Sequence, residues 1–429
     1  MLLELRIKNY KCFKDEQVFS FVASNDKSLP ENVIENGKLR VLRTAVLYGA
    51  NASGKSTVMQ ALKVIRDSIV HSASVEPGRR TAAVPFLLDS EATEKPSSFE
   101  VTFLLEGVRY QYGFSATPAK YHDEWLLAYP RGRAQTWFER ANNPETDITT
   151  WSFGPSMRGE KQKIADRTRT NALFLSVAAQ WDHPQLLNLY TWFQNKFVII
   201  RDEERIPELT SSLLFSGKED EELKGVVELC RQLLSRADFG IASVNVQENQ
   251  VNYDDVSFPE DMPEQIRHQL VRWKAQQEPY NVFLRHQANE GSVEFGIEQE
   301  SRGTRRFYKL AGPWILALLL QRFLAVDEIE SSLHPLLARE LISMFQSSQY
   351  QGMTGQLLIT THDTTLLDPT FFRRDQVWFV EKDEAGASRL YSLVEYRKKP
   401  ARKGEAMQKR YLAGLYGGIP SLAERFVDG

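Results

Sequence analysis

"VLYGANASGKSTVMQALKVI" (residues 46–65) holds Gly49 and Gly54 five apart, then Lys55, Ser56 and an apolar run. It matches G-x-x-x-x-G-K-[ST] in full, the pattern of a phosphate-binding loop. Its surroundings match too. "VLRTAVLY" (41–48) is a short Val- and Leu-rich run suited to a buried strand. "STVMQALKVIRDSIV" (56–70) sets Val58, Ala61, Leu62, Ile65 and Ile69 at helical spacing. The loop therefore lies where a strand feeds a helix. Glycines let backbone N–H groups converge on phosphate oxygens with no Cβ in the way. The helix N-terminus adds partial positive charge. Gly49, Asn51, Ser53, Gly54, Lys55, Ser56 and Thr57 are the candidate nucleotide contacts. Lys55 is expected on the β- and γ-phosphates, and the Ser56 hydroxyl on Mg²⁺.

A carboxylate from a second strand must complete such a site. "RFLAVDEIE" (322–330) supplies one: Phe323 to Val326 are apolar, then come Asp327 and Glu328. Acids ending an apolar run are costly unless they meet a cation or water. Asp327 is the expected metal contact through water, and Glu328 the expected general base on the attacking water. "QLLITTHD" (356–363) reads as a further buried strand ending at His362, within reach of a γ-phosphate. "ESRGT" (300–304) precedes the apolar "RRFYKLAGPWILALLL", so Ser301 and Gly303 fall at a helix start. That geometry serves either an anion or an ordinary N-cap.

Together these residues resemble the ABC-type ATPase superfamily in its SMC-like branch. The resemblance runs through Walker A at 49–56, a degenerate signature at 301–304, Walker B with its Glu at 323–328, a D-loop-like "SSLHP" (331–335) and a switch histidine, His362. The opening "LRIKNYKCFKD" is similar to that branch's first strand and turn, which implies Lys11, and Phe13 with it, near the nucleotide. More narrowly, "YGANASGKST", "NALFLSVAAQ" (171–180), "VDEIESSLHP", "LITTHD" and the tail "YLAGLYGGIP" (411–420) resemble the RloA/AbiL-type AAA-family ATPases of bacterial phage-defence loci. The signature departs from L-S-G-G-Q at Arg302 and Thr304-Arg305, so only Ser301 and Gly303 carry over. No Q-loop glutamine is assigned, since Gln111 lies inside the strand-like "EGVRYQYGFSA". The resemblance implies ATP and Mg²⁺ as ligands. It also implies ATP sandwiched between two subunits in a homodimer or larger even assembly, and a partner from the same locus, an RloB-like Toprim nuclease.

The expected fold is α/β: a P-loop NTPase with an ABC/SMC-like ATPase head and an inserted helical subdomain. Residues 1–155 would form the N-terminal lobe with Walker A, 156–282 the helical insert, and 283–429 the lobe with signature, Walker B and His362. "NLYTWFQNKFVII" (188–200) and 219–237 show helical spacing, "FGIASVNVQ" reads as a strand, and 252–270 as a charged surface insertion. There is no long heptad run for a coiled-coil arm.

Across 429 residues, 42% hydrophobic and 25% charged content suit a soluble globular protein. A net charge of −3 excludes a globally basic nucleic-acid binder but leaves room for a local basic face. Cys12 and Cys230 alone make no disulfide framework, in keeping with a reducing cytosol. The longest apolar run, "WILALLL" (314–320), is too short for a membrane, and the first strand lacks the apolar core of a signal peptide. A cytoplasmic protein is expected. No second active site appears, and "EKDE" (381–384) reads as a hairpin turn. The basic run 396–410 has seven Lys or Arg against one Glu, for nucleic acid, an acidic partner or solvent. Two functions follow: an ATPase that senses phage infection and controls a toxic effector nuclease, or an SMC-like clamp that grips DNA in repair or maintenance. A neighbouring Toprim gene favours the first, and salt-sensitive DNA binding the second.

Overall fold

The computed structural model describes residues 1–143, 145–201, 208–217, 223–237, 240–249, 279–347, 354–396 and 407–419. The charged insertion at 252–270 lies outside these, as does most of the basic run, residues 397–406. The chain divides into two compact units. The first comprises Met1–Arg201, Leu320–Glu330 and Ala338–Gly429, and the second Asp202–Leu319 and Ser331–Leu337. Residues 156–201, the start of the expected helical insert, cluster with the first unit.

The first unit holds two large sheets. One is antiparallel, in the order β10 (Thr149–Phe153), β9 (Gln135–Asn142), β8 (Tyr121–Tyr129), β7 (Val108–Ala116), β6 (Ser97–Leu105), β1 (Leu2–Lys8) and β2 (Gln17–Ser20). The other runs β11 (Phe197–Ile200), β15 (Phe323–Val326), β16 (Gln356–Thr360), β5 (Thr44–Tyr48), β17 (Val377–Lys382) and β18 (Ser388–Ser392). Its first five strands are parallel, and β18 returns antiparallel as a hairpin from β17. Parallel strands covered on both faces read as unbroken apolar runs. So β5, β15 and β16 are buried at every residue. A small hairpin pairs β3 (Val33–Asn36) with β4 (Leu39–Leu42).

Helix α1 (Lys55–His71) buries Val58, Ala61, Leu62, Ile65 and Ile69, the stripe read from the sequence. α2 (Ser90–Thr93), α3 (Lys161–Arg167), α4 (Phe174–Gln180) and α5 (Leu186–Lys196) follow. The two sheets, α1, α4 and α5 share one apolar core. Phe103 stacks on Trp192 at 4.5 Å between centroids, and Phe197 meets Phe323 at 4.7 Å. Each such fully buried side chain contributes about 1.5–3 kcal/mol. The expected helix at 188–200 ends at Lys196, because Phe197–Ile200 pairs alongside β15 as β11. Phe13 is part of the core, with no exposed surface.

Two buried polar groups tie the core together. The Gln356 amide on β16 accepts from Leu2 N–H at 2.6 Å, and donates to Leu2 O at 2.9 Å and Leu42 O at 3.4 Å. Glu124 on β8 accepts from Phe174 N–H (2.6 Å), Leu175 N–H (3.0 Å) and the Tyr112 hydroxyl (2.9 Å), which caps the "FLSVAAQ" helix. Burial pushes its carboxyl above the usual range. Gln111 is structural: it sits within β7 and accepts from the Tyr129 hydroxyl.

The second unit contains α6 (Leu209–Ser216), α7 (Lys224–Arg236), α8 (Arg302–Leu319) and a three-stranded sheet of β12 (Ile241–Glu248), β13 (Tyr280–Ala288) and β14 (Gly291–Gly296). Pro313 sits inside α8 and donates no hydrogen bond to Lys309 O, four residues back. The Thr210 hydroxyl donates to that carbonyl instead, at 3.1 Å, and accepts from Gly312 N–H at 2.9 Å. The described residues finish with α9 (Pro335–Gln346), which spans the unit boundary, and α10 (Met407–Leu412) in the first unit.

Candidate functional site

β5, β15 and β16 are adjacent and parallel, with Val326 level with Ile359 and Thr360 level with Leu47. Their carboxyl ends therefore open at one place, where α/β sheets hold ligands. Gly49 and Asp327 follow directly from these ends, and His362 comes two residues after the end of β16.

The loop 49–54 requires its glycines. A Cβ on Gly49 would lie 2.4 Å from Val380 O and 2.5 Å from Ser53 Oγ. Gly54 has φ of +120°, and a Cβ there would lie 2.8 Å from Cys12 Sγ. Between them Ala52 takes the left-handed conformation, φ +58°. That costs about 1–2 kcal/mol for a residue with a Cβ, and concentrates at functional turns. Lys55 is buried. Its ammonium donates to Gly49 O at 2.8 Å and Ala50 O at 3.1 Å. Burial lowers its pKa, while Glu328, Asp327 and Glu330 oppose that shift. Ser53 is 3% exposed, and among the described residues its hydroxyl has no hydrogen-bond partner. A buried orphan hydroxyl on the same loop as an ammonium that bonds the loop's own carbonyls fits an anion-binding site. Asn51 is exposed on the loop, and Ser56 and Thr57 are half-buried in the first turn of α1. Thr57 Oγ1 accepts from Cys12 Sγ at 3.3 Å.

At the end of β15, Asp327 is 7% exposed and accepts from the Thr360 hydroxyl at 2.6 Å. Glu328 is exposed and left-handed, φ +49°. Its N–H donates to Thr360 Oγ1 at 2.8 Å, and Ile329 N–H donates to Thr360 O at 3.1 Å. One threonine thus fixes both acids. His362 N–H donates to Glu330 Oε1 at 2.5 Å, and Glu330 Oε2 is buried with no partner among the described residues. Burial, then the Lys55 charge, lowers the His362 pKa below its ordinary value. Among the described residues no group of three or more His, Cys, Asp or Glu is arranged to hold a metal. Ser56 and Asp327 fit Mg²⁺ only together with phosphate oxygens and water, the usual setting for that ion.

The Lys11 ammonium is bonded to Gln60 Oε1 and its N–H donates to Val84 O; neither contact is with the loop. It is the next residue, Cys12, that touches Gly54 and Thr57. In the second unit, Ser301 Oγ accepts from Thr304 N–H at 3.1 Å, an N-cap for α8. Gly303 packs on the D-loop-like segment, where a Cβ would lie 2.6 Å from Ser332 O. Sequence reading missed Thr360, Glu330 and Cys12. "DEIE" and "ITTHD" contained the first two, but their roles arise only across strands.

A family model described as "AAA domain, putative AbiEii toxin, Type IV TA system" matches residues 45–368, which include Walker A, Walker B and His362. The chain belongs to this AAA family. Among curated proteins, none matches it. Solved structures similar to this AAA protein include an SMC head bound to the C-winged helix domain of ScpA (14% identity, TM-score 0.42, covering 91% of this chain and 97% of that chain). Another is the SMC head domain from Thermotoga maritima (13% identity, TM-score 0.40, covering 91% and 98%). This AAA protein has the α/β fold of a P-loop NTPase. Among the described residues no helix is long and apolar enough to cross a membrane.

Proposed function

We propose that this chain binds ATP with Mg²⁺ and hydrolyses it, and that its nucleotide state controls an effector nuclease in antiphage, abortive-infection defence. One observation carries the ATPase reading. A buried ammonium, an orphan hydroxyl, two strand-end acids and a histidine converge at the ends of three adjacent strands. Phosphate would replace the Lys55 contacts to Gly49 O and Ala50 O, and would give Ser53 Oγ a partner. Ser56 and Asp327 would hold the metal, which supplies charge neutralisation on the phosphates. Glu328 would take the proton of the attacking water, and His362, kept neutral, would face the γ-phosphate.

Ser301 and Gly303 are proposed to meet the nucleotide of a second copy, so that ATP closes a homodimer or larger even assembly. The family's description as a putative AbiEii toxin of a type IV toxin–antitoxin system supports a defence role. The resemblance to RloA/AbiL-type proteins points to a Toprim nuclease as partner. ATP binding by purified wild type and Lys55→Ala tests the core of this reading: equal affinity would end it. A pull-down from the native host, with and without ATP, tests the effector. No nuclease retained in either condition would remove that part.

A further inference from the structure

The tail motif "YLAGLYGGIP" has no part in the chemistry above, yet its residues 411–418 lie against the site. After α10 the chain turns through Gly417 and Gly418, at φ +70° and +66°. Gly418 comes so near the first Walker A glycine that a Cβ on it would lie 3.7 Å from Gly49 Cα and 3.6 Å from Val380 O. Two phenols pin this turn. The Tyr411 hydroxyl donates to Gly418 O at 3.0 Å, and the Tyr391 hydroxyl to Tyr416 O at 2.7 Å. The Tyr411 ring packs on Tyr48, the last residue of β5, at 5.7 Å, and on Phe379 at 5.4 Å.

The same segment reaches the histidine loop. Gln408 Nε2 donates to Thr364 Oγ1 at 3.1 Å, two residues past His362. Tyr48 closes the circuit: its hydroxyl donates to Asp363 O at 3.0 Å. One short segment therefore abuts both the Gly49 backbone and the loop of His362. These are the two walls whose spacing must match one triphosphate.

We infer that residues 407–418 are a positioning element of the nucleotide site, setting the separation of the Walker A loop and the His362 loop. The inference rests on the ATPase reading. Its physical basis is that Gly49 O is a carbonyl the Lys55 ammonium must release. A wall behind Gly49 fixes where that carbonyl stays when the lysine leaves it. Gln408 and Tyr411 act through Thr364 and Gly418.

Tyr411→Phe keeps the ring and removes one hydrogen bond, and Gln408→Ala removes the other tie. Hydrogen exchange of the nucleotide-free full chain is the primary readout. Peptides covering 49–55 in Tyr411→Phe and 361–366 in Gln408→Ala should exchange about fivefold faster, with β15 and the melting temperature unchanged. With ATP, kcat should fall about tenfold while nucleotide affinity stays near wild type, the pattern of lost positioning. Wild-type exchange at both loops in both variants would overturn the inference. So would uniformly faster exchange with a lowered melting temperature, the mark of a merely structural role. If wild type binds no ATP, the ATPase reading fails, and the nucleotide-free exchange still decides whether the tail sets the two loops.

Discussion

The Thr360 hydroxyl donates to Asp327 Oδ1 at 2.6 Å and accepts from the Glu328 N–H at 2.8 Å, so a neutral side chain on β16 orients both acids of β15. Thr360→Val preserves shape and removes both bonds. ATP turnover should drop about 10–100-fold, as for other groups that orient metal ligands. Nucleotide binding without Mg²⁺ should be retained. Steady-state turnover alongside metal-free binding checks this, and unchanged turnover would remove Thr360 from the machinery.

Glu328→Gln should bind ATP as wild type does and turn it over 10²–10⁴ times more slowly, roughly the loss expected for a general base. Trapped with ATP, it should accumulate a larger assembly in size-exclusion chromatography. An elution volume insensitive to ATP would contradict a nucleotide-closed dimer.

His362 should titrate below the ordinary histidine range in the nucleotide-free protein, because burial and the neighbouring Lys55 charge both disfavour its cation. A depressed folded-state pKa means the unfolded chain binds the proton more readily. Stability tied to neutral His362 is therefore complete above about pH 6.5 and declines as pH falls. Lys55→Met removes the repelling charge and leaves the acids, so the His362 pKa should rise. NMR titration of the imidazole in both proteins measures the direction. A downward or absent change in Lys55→Met would show that the two side chains are not coupled.

Glu124→Ala leaves two buried N–H groups of α4 and the Tyr112 hydroxyl without their buried acceptor. Each buried donor left unsatisfied costs about 1–3 kcal/mol, so the three together should cost about 3 kcal/mol or more. Denaturant melts should show that loss, although Glu124 lies in the antiparallel sheet, away from the strand ends that form the site. A loss under about 1 kcal/mol would mean that solvent replaces the carboxylate.

Much of this was legible in the amino-acid order, and the reason is local. The Gly49–Ser56 loop, Asp327, Glu328 and His362 each sit at the end of an apolar run that carries its own signal. Thr360, Glu330 and Cys12 carry none, because their roles depend on partners from other strands. Phe197–Ile200 illustrates the second limit. Four apolar residues continue the helical spacing of α5 equally well, and only the open edge of β15 turns them into a strand. Ser301 shows a third: an N-cap and an anion site use the same residue type in the same place.

The Gln356 amide grips a strand of each large sheet at once, through both the N–H and the carbonyl of Leu2. Shearing one sheet past the other would strand three hydrogen-bonding groups in a dry interior. Within this unit the two sheets are thus tied in one register, and any displacement of one against the other has to be taken up in loops and at edges.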